Sequence, residues 1–185
     1  LAILVMYLAG DYSVVSVNSI MLILPSFAIN ITVAIIEETL MRGIIFRIVE
    51  EKLGSYIALA ISALIFGALH LSNPNSSLMA GIQIAIEAGI MLAAAYMFSR
   101  SLWFPIAIHF GWNFTQSGIF GANTSGHTLD RSLLTAKFQG SDLLTGGKFG
   151  PEGSVQATIF CLVAGIVLLV LCKKHNKIIK PSWVK

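Results

Sequence analysis

Eight side chains with acid, base or amide chemistry lie in otherwise apolar stretches of this sequence: Glu37, Glu38, Arg42, His70, Glu87, His109, Asn113 and Gln116. At membrane depth such a group costs on the order of 2.5 kcal/mol or more, so each is a candidate functional residue. Glu38 and Arg42 are four residues apart and share a helix face, as do Phe66 with His70 and His109 with Asn113. Glu37 points about 100° away from Glu38 on a helix of 3.6 residues per turn and is free for another partner. Peptide hydrolysis needs a base that takes a proton from water and donors aimed at the developing oxyanion. A glutamate can be the first; a histidine N–H and an asparagine amide can be the second. Ser62, Ser72 and Cys172 have no histidine and acid spaced to activate them, which argues against a covalent route. The same donors, Glu37 with His70 and His109, also make up a His₂Glu zinc set, although no HExxH occurs. The structural alternative is that Glu38 and Arg42 form an ion pair and the histidines only hold helices together. Glu87 has no patterned partner, and His127 and His175 fall in a loop and a tail.

The elements that carry these residues must be membrane spans. Of 185 residues, 56% are hydrophobic and 11% charged, against about 25% charged in soluble domains, and the mean hydropathy is +0.81. A soluble nucleotide-binding or sandwich enzyme is excluded. Five spans are expected: from Ser19 to about Glu50, from Ser55 to Leu71, from Leu78 to Phe98, from Leu102 to Phe120 and from Val155 to Cys172. Pro25 is expected to kink the first near its start, and Pro105 sits in the first turn of the fourth, where its missing N–H is harmless. The apolar start, Leu1 to Ala9, is too short to span and reads as the remnant of a helix that begins upstream. Residues 121–153 hold seven glycines and mixed charges, an extramembrane loop with one short helix expected near Leu129 to Phe138. Cys161 and Cys172 suit small apolar filling rather than a disulfide or thiolate metal site.

Lys173, Lys174, Lys177, Lys180 and Lys185 form a basic tail over residues 173–185 that the positive-inside rule places in the cytosol. The formal charge of +3 is therefore a membrane-flank effect, and no nucleic-acid partner is implied. Threading back from the tail puts the 121–153 loop and the Asn73 turn outside, and the Arg100 and Arg47 to Lys52 turns inside. Counted from those inside turns, Glu37, His70, Glu87 and His109 lie about 13 to 24 Å deep. The expected fold is all-α, a polytopic transmembrane helical bundle forming one membrane-embedded domain over residues 1–185.

Three motifs are then recognisable in order. Glu37-Glu38-Thr39-Leu40-Met41-Arg42, Phe66-Gly67-Ala68-Leu69-His70 and His109-Phe110-Gly111-Trp112-Asn113 resemble the EExxxR, FxxxH and HxxxN motifs of the CPBP family. These are the CAAX proteases and bacteriocin-processing enzymes that include the Rce1-type intramembrane endopeptidases. Asn113-Phe114-Thr115-Gln116, Gly121, Ser125-Gly126 and Phe149-Gly150-Pro151-Glu152 resemble its bacterial branch. The resemblance, over about residues 20 to 172, implies a helical membrane core with a cavity opening toward the cytosol. It implies Glu37 as general base on a water, His70 holding that water, and His109 with Asn113 stabilising the oxyanion. Glu38, Arg42 and Phe66 then support the site, and no cofactor is needed. The implied substrate is a membrane-tethered or lipidated peptide, CAAX-like or bacteriocin- or pheromone-like. A zinc protease using Glu37, His70 and His109, or a non-catalytic immunity or accessory protein, are the alternatives.

Overall fold

The computed structural model describes residues 1–129 and 131–184; Asp130 and Lys185, the last lysine of the expected tail, lie outside them. Helix α1, Ala2–Ala9, stops at Gly10 in the left-handed conformation and leads into strand β1, Tyr12–Val17. Ser19 then caps a 3₁₀ turn, its hydroxyl accepting from Met21 N–H, and the chain enters one continuous helix. That helix is α2, Ile23–Glu38, a π-helical stretch, Thr39–Phe46, and α3, Arg47–Leu53. Pro25 lies in the first turn of α2, near the start of the span, where no intrahelical N–H bond is lost.

Gly54, at φ 80°, breaks the helix, and α4 follows over Ser55–His70. Helix α5, Leu78–Ile84, is capped by the Ser77 hydroxyl on Ala80 N–H, passes through a second π-helical stretch, Ala85–Ile90, and continues as α6, Met91–Ser99. Helix α7, Trp103–Phe114, ends in a third π-helical stretch, Thr115–Ile119. After strand β2, Leu134–Phe138, and the short α8, Asp142–Thr145, α9 runs over Val155–Lys174.

The protein is a multi-pass membrane protein. Ile20–Leu53, Leu78–Ser99 and Val155–Lys174 are long and apolar enough to cross a bilayer. The other two expected spans are shorter: α4 has 16 residues, and α7 has 12 before its π-helical extension. Helix α6 is the axis of the bundle, with Leu92, Ala93, Ala94, Ala95 and Met97 buried among α4, α7 and α9. Its run of alanines lets neighbouring backbones approach, which is how membrane helices pack when apolar side chains gain nothing by leaving lipid. Gly67 serves the same end: a Cβ there would collide with the Gly81 carbonyl and lie 2.8 Å from Ala85 Cβ. The outer helices keep large apolar side chains such as Ile36, Leu64 and Val163 exposed, as lipid-facing surfaces require.

The fold is an all-α membrane-associated helical bundle as expected, and it carries one small sheet in addition. Strands β1 and β2 pair antiparallel, Tyr12 with Phe138 and Val17 with Leu134, with an irregularity between Val14 and Ser16. Where a short helix is expected near Leu129 to Phe138, residues Leu134–Phe138 form a strand, and Asp130 lies outside the described residues. Leu134, Ala136 and Phe138 are half-buried while Thr135 and Lys137 face out, the period of two that a half-buried strand shows. Tyr12 secures the sheet, its ring edge-on to Phe120 and Phe138 and its hydroxyl donating to the Phe120 carbonyl.

The bundle has two unlike ends. At one, Ser55 N–H donates to Ile179 O, Ser182 N–H to Lys52 O, and Arg100 pairs with Glu50 at 2.6 Å and reaches the Lys177 carbonyl. At the other, the Asn73 turn is tied to the 121–153 loop, with Asn73 and Asn75 amides donating to Ser125 and Gly126 carbonyls.

Candidate active site

The three motif helices meet at a buried charge cluster built on π-helical turns. A π-turn inserts a residue and leaves a carbonyl without its usual helical donor; such turns are frequent at functional sites. Arg42 sits on the first π-turn, fully buried, and its Nη2 donates to the carbonyls of Ala88 and Gly89 on the second. Its Nη1 donates to Glu38 Oε1 at 2.8 Å, and its guanidinium carbon lies 5.0 Å from the Phe66 ring centroid, within cation–π range. The expected Glu38–Arg42 pair is present, and it also locks two helices together.

Glu38 does more than neutralise Arg42. The same Oε1 accepts from His109 Nδ1 at 2.9 Å. A carboxylate that accepts from Arg42 accepts here too, so Nδ1 carries the hydrogen. His109 Nε2 then faces Glu37, 3.9 Å from Oε2. Donation from Nε2 to an oxyanion consequently requires the doubly protonated ring, a condition the residue spacing does not reveal. Glu37 is on the other face of its helix, as its 100° offset from Glu38 requires: its side chain is about one-third exposed (33%), yet its Oε2 is buried without a hydrogen-bond partner.

His70 closes α4 with its Nδ1 2.8 Å from the Phe66 carbonyl. A carbonyl only accepts, so Nδ1 is the donor and Nε2 of the neutral ring is left as an acceptor. The Phe66 ring packs 4.6 Å from the His70 ring and 6.3 Å from the His109 ring. Phe66 thus touches Arg42 and both histidines, which explains an aromatic at this position better than apolar filling does. Asn113 is buried one turn beyond His109, and its backbone carbonyl accepts from Ser117 Oγ at 2.8 Å.

Two spaces adjoin these groups. A cleft of about 250 Å³ is bordered by Glu37, Met41, Phe66, His70, Asn73 and Ser125. Behind it a cavity of about 30 Å³ is bordered by His70, His109, Asn113, Glu87, Glu152 and Ser125, room for about one water molecule. Phe66, His70 and Ser125 border both. The equal depth of the motif residues is reconciled with their unequal distances from the turns by helix offset: Leu102, before α7, packs level with Gly43, so α7 starts deeper than α4.

Sequence reasoning missed Glu152. It is buried, accepts from Ser125 N–H, and receives Trp112 Nε1–H at 3.2 Å and the Gln116 amide at 3.5 Å. It fastens the 121–153 loop to α7 so that Ser125 stands over the site. Its signals were an acid in a glycine- and proline-rich stretch and the resemblance of Phe149-Gly150-Pro151-Glu152 to the bacterial branch, neither of which assigns Glu152 a role. Glu87, which had no patterned partner, accepts from Thr158 Oγ1 on α9 at 2.6 Å. Among the described residues, no group of three or more His, Cys, Asp or Glu side chains is gathered as a metal-binding cluster. His109 Nδ1 is taken by Glu38 and His70 Nδ1 by the Phe66 carbonyl, which leaves Nε2 as the ring nitrogen that the zinc alternative would use.

A sequence model of the type II CAAX prenyl endopeptidase Rce1-like family matches residues 19–115. The chain belongs to that family. The Rce1-like match takes in every motif residue from Glu37 to Asn113 and ends before the loop that carries Ser125 and Glu152. No curated protein and no solved structure matches the chain.

Proposed function

We propose that this protein is an intramembrane glutamic-type endopeptidase that hydrolyses a peptide bond in a membrane-tethered peptide, with or without a lipid, using water activated by Glu37. The observation that carries this reading is the unpartnered Glu37 Oε2 facing His109 Nε2 at 3.9 Å, on a cleft shared with His70, in a chain of an endopeptidase family. Glu37 takes the proton from water as the oxygen attacks the carbonyl, and passes it to the amide nitrogen as the C–N bond breaks and the amine leaves. His70 Nε2, the acceptor nitrogen, orients that water. His109 and Asn113 stabilise the oxyanion, His109 in its doubly protonated form and held by Glu38. Arg42 and Phe66 fix Glu38 and the rings. The bilayer is the medium, and the lysine-rich tail lies in the cytosol, as basic flanks do.

Purified protein incubated with a panel of tethered peptides, lipidated and unlipidated, tests the proposal. Cleavage at one bond supports it; an intact panel favours the immunity or accessory reading. Exhaustive dialysis against a strong chelator is expected to leave the rate unchanged. A rate lost on dialysis and restored by one zinc per chain would replace this mechanism by the His₂Glu one.

Asn113→Ala is expected to lower kcat by about 10²- to 10³-fold with KM nearly unchanged, because an oxyanion donor acts mainly in the transition state. Steady-state kinetics beside a melting curve check this. An unchanged kcat removes Asn113 from the site.

A further inference from the structure

We propose that the cavity behind the cleft is the pocket for the side chain of the substrate residue whose carbonyl is attacked, and that Glu87 makes it select a small residue bearing a hydroxyl, serine above all. This rests on the peptidase reading and names the peptide that its site takes.

The two spaces divide the groups of the site between them. Glu37 borders the cleft alone, His109 and Asn113 border the cavity alone, and Phe66, His70 and Ser125 border both. A carbonyl attacked from the Glu37 side, with its oxygen turned to His109 and Asn113, lies where the spaces meet. The side chain of the attacked residue branches from the carbon next to that carbonyl, so it is the first substrate group to reach the cavity.

The cavity admits little. It measures about 30 Å³, room for one water or one hydroxyl group. Met91, Leu92 and Cys161 in its wall are buried and packed together with Ile108 and Trp112. A leucine or phenylalanine side chain enters such a wall only by overpacking it.

Glu87 supplies the selection for a polar group. It is 3% exposed, and its Oε1 is bonded to Thr158 Oγ1 on α9, a residue off the cavity's border. Its Oε2 is buried with no hydrogen-bond partner among the described residues. Glu152, the other acid on the border, has both oxygens engaged, Oε1 by Ser125 N–H and Oε2 by Trp112 and Gln116. Glu87 Oε2 is thus a polar atom on this border that the hydrolytic steps leave unused. A buried polar atom without a partner is costly, so a side chain that brings one is favoured over an apolar one of similar size. A hydroxyl suits the carboxyl group in either state, donating to the carboxylate or accepting from the acid; an ammonium suits the carboxylate alone.

A library of tethered peptides, randomised across the polar segment and given to the purified protein, tests the pocket, with cleaved bonds read by mass spectrometry. Serine is expected at the new carboxyl terminus, with kcat/KM about 10- to 100-fold above that of the matched alanine peptide and no measurable cleavage after leucine. Glu87→Ala removes the polar partner and adds space; it is expected to bring the serine and alanine peptides within about threefold of each other and to admit valine. These ratios, taken on one preparation, do not depend on how much of the variant folds. Cys161→Ala decides the matter if Glu87→Ala yields no folded protein. It widens the wall without touching the carboxyl group, and is expected to raise threonine relative to serine by about 10-fold while serine keeps its advantage over alanine.

Cleavage with no preference at this residue, or ratios unchanged in the variants, overturns the pocket and leaves the peptidase reading standing. Lysine as the preferred residue shows selection of a cation and overturns the hydroxyl assignment. An uncleaved library overturns the peptidase reading and the pocket with it.

Discussion

Glu37→Gln is expected to lower kcat/KM for a tethered peptide by about 10²- to 10⁴-fold, the usual contribution of a positioned general base, while leaving the melting temperature close to that of the parent. The amide keeps the size of the side chain and can accept a hydrogen bond, but it cannot take a proton from water. Stability is spared because Glu37 Oε2 makes no hydrogen bond that the folded state would lose, and its nearest charged neighbour, His109 Nε2, is 3.9 Å away. That separation of activity from stability distinguishes a working carboxylate from a packing one. Kinetics and a melting curve on the same preparation read both, and activity within threefold of the parent removes Glu37 from the chemistry.

Glu38→Gln reverses the pattern, with stability falling first. Glu38 Oε1 is shared between Arg42 at 2.8 Å and His109 at 2.9 Å, and both Glu38 and Arg42 are wholly buried. Removing the charge leaves a guanidinium uncompensated inside the bundle, a change that costs about 3 to 5 kcal/mol. The glutamine's NH₂ group also turns a donor toward one of two donors. Arg42 would keep its bonds to the Ala88 and Gly89 carbonyls, so the helices stay joined while His109 loses the partner that orients its ring. A large drop in thermal stability, with activity reduced through His109, is the expected result. A variant as stable as the parent but inactive shows that the two carboxylates have exchanged roles.

The contrast between Glu37 and Glu38 also marks what the chain shows before it folds. Four-residue spacing places Glu38 beside Arg42 and Phe66 beside His70, because a helix alone determines those contacts. The His109–Glu38 bond joins residues 71 apart, and the Glu87–Thr158 bond joins residues likewise 71 apart. No local period carries such pairs, so Glu38 reads from sequence only as an ion-pair partner. The π-helical turns under Arg42 and the Ala88 and Gly89 carbonyls are invisible for a related reason. The apolar pattern that calls a helix there is nearly the same whether a turn closes at i+4 or i+5. Tyr12–Val17 and Leu134–Phe138 are short enough for their alternation to be overlooked among glycines, and each is a strand only because the other pairs with it. Glu152 is given no role because its function is to fasten a loop, and its partners Ser125 and Trp112 lie 27 and 40 residues away in the chain.

Hydrolysis by directly attacking water leaves an isotopic record that no packing role can mimic. In a single turnover in ¹⁸O-enriched water, purified protein and a tethered peptide are expected to give a product whose new carboxyl terminus carries one ¹⁸O, with no label in the Glu37 side chain. First-turnover product without ¹⁸O, or label appearing in Glu37, would show a carboxylate attacking the peptide itself and contradict the base mechanism.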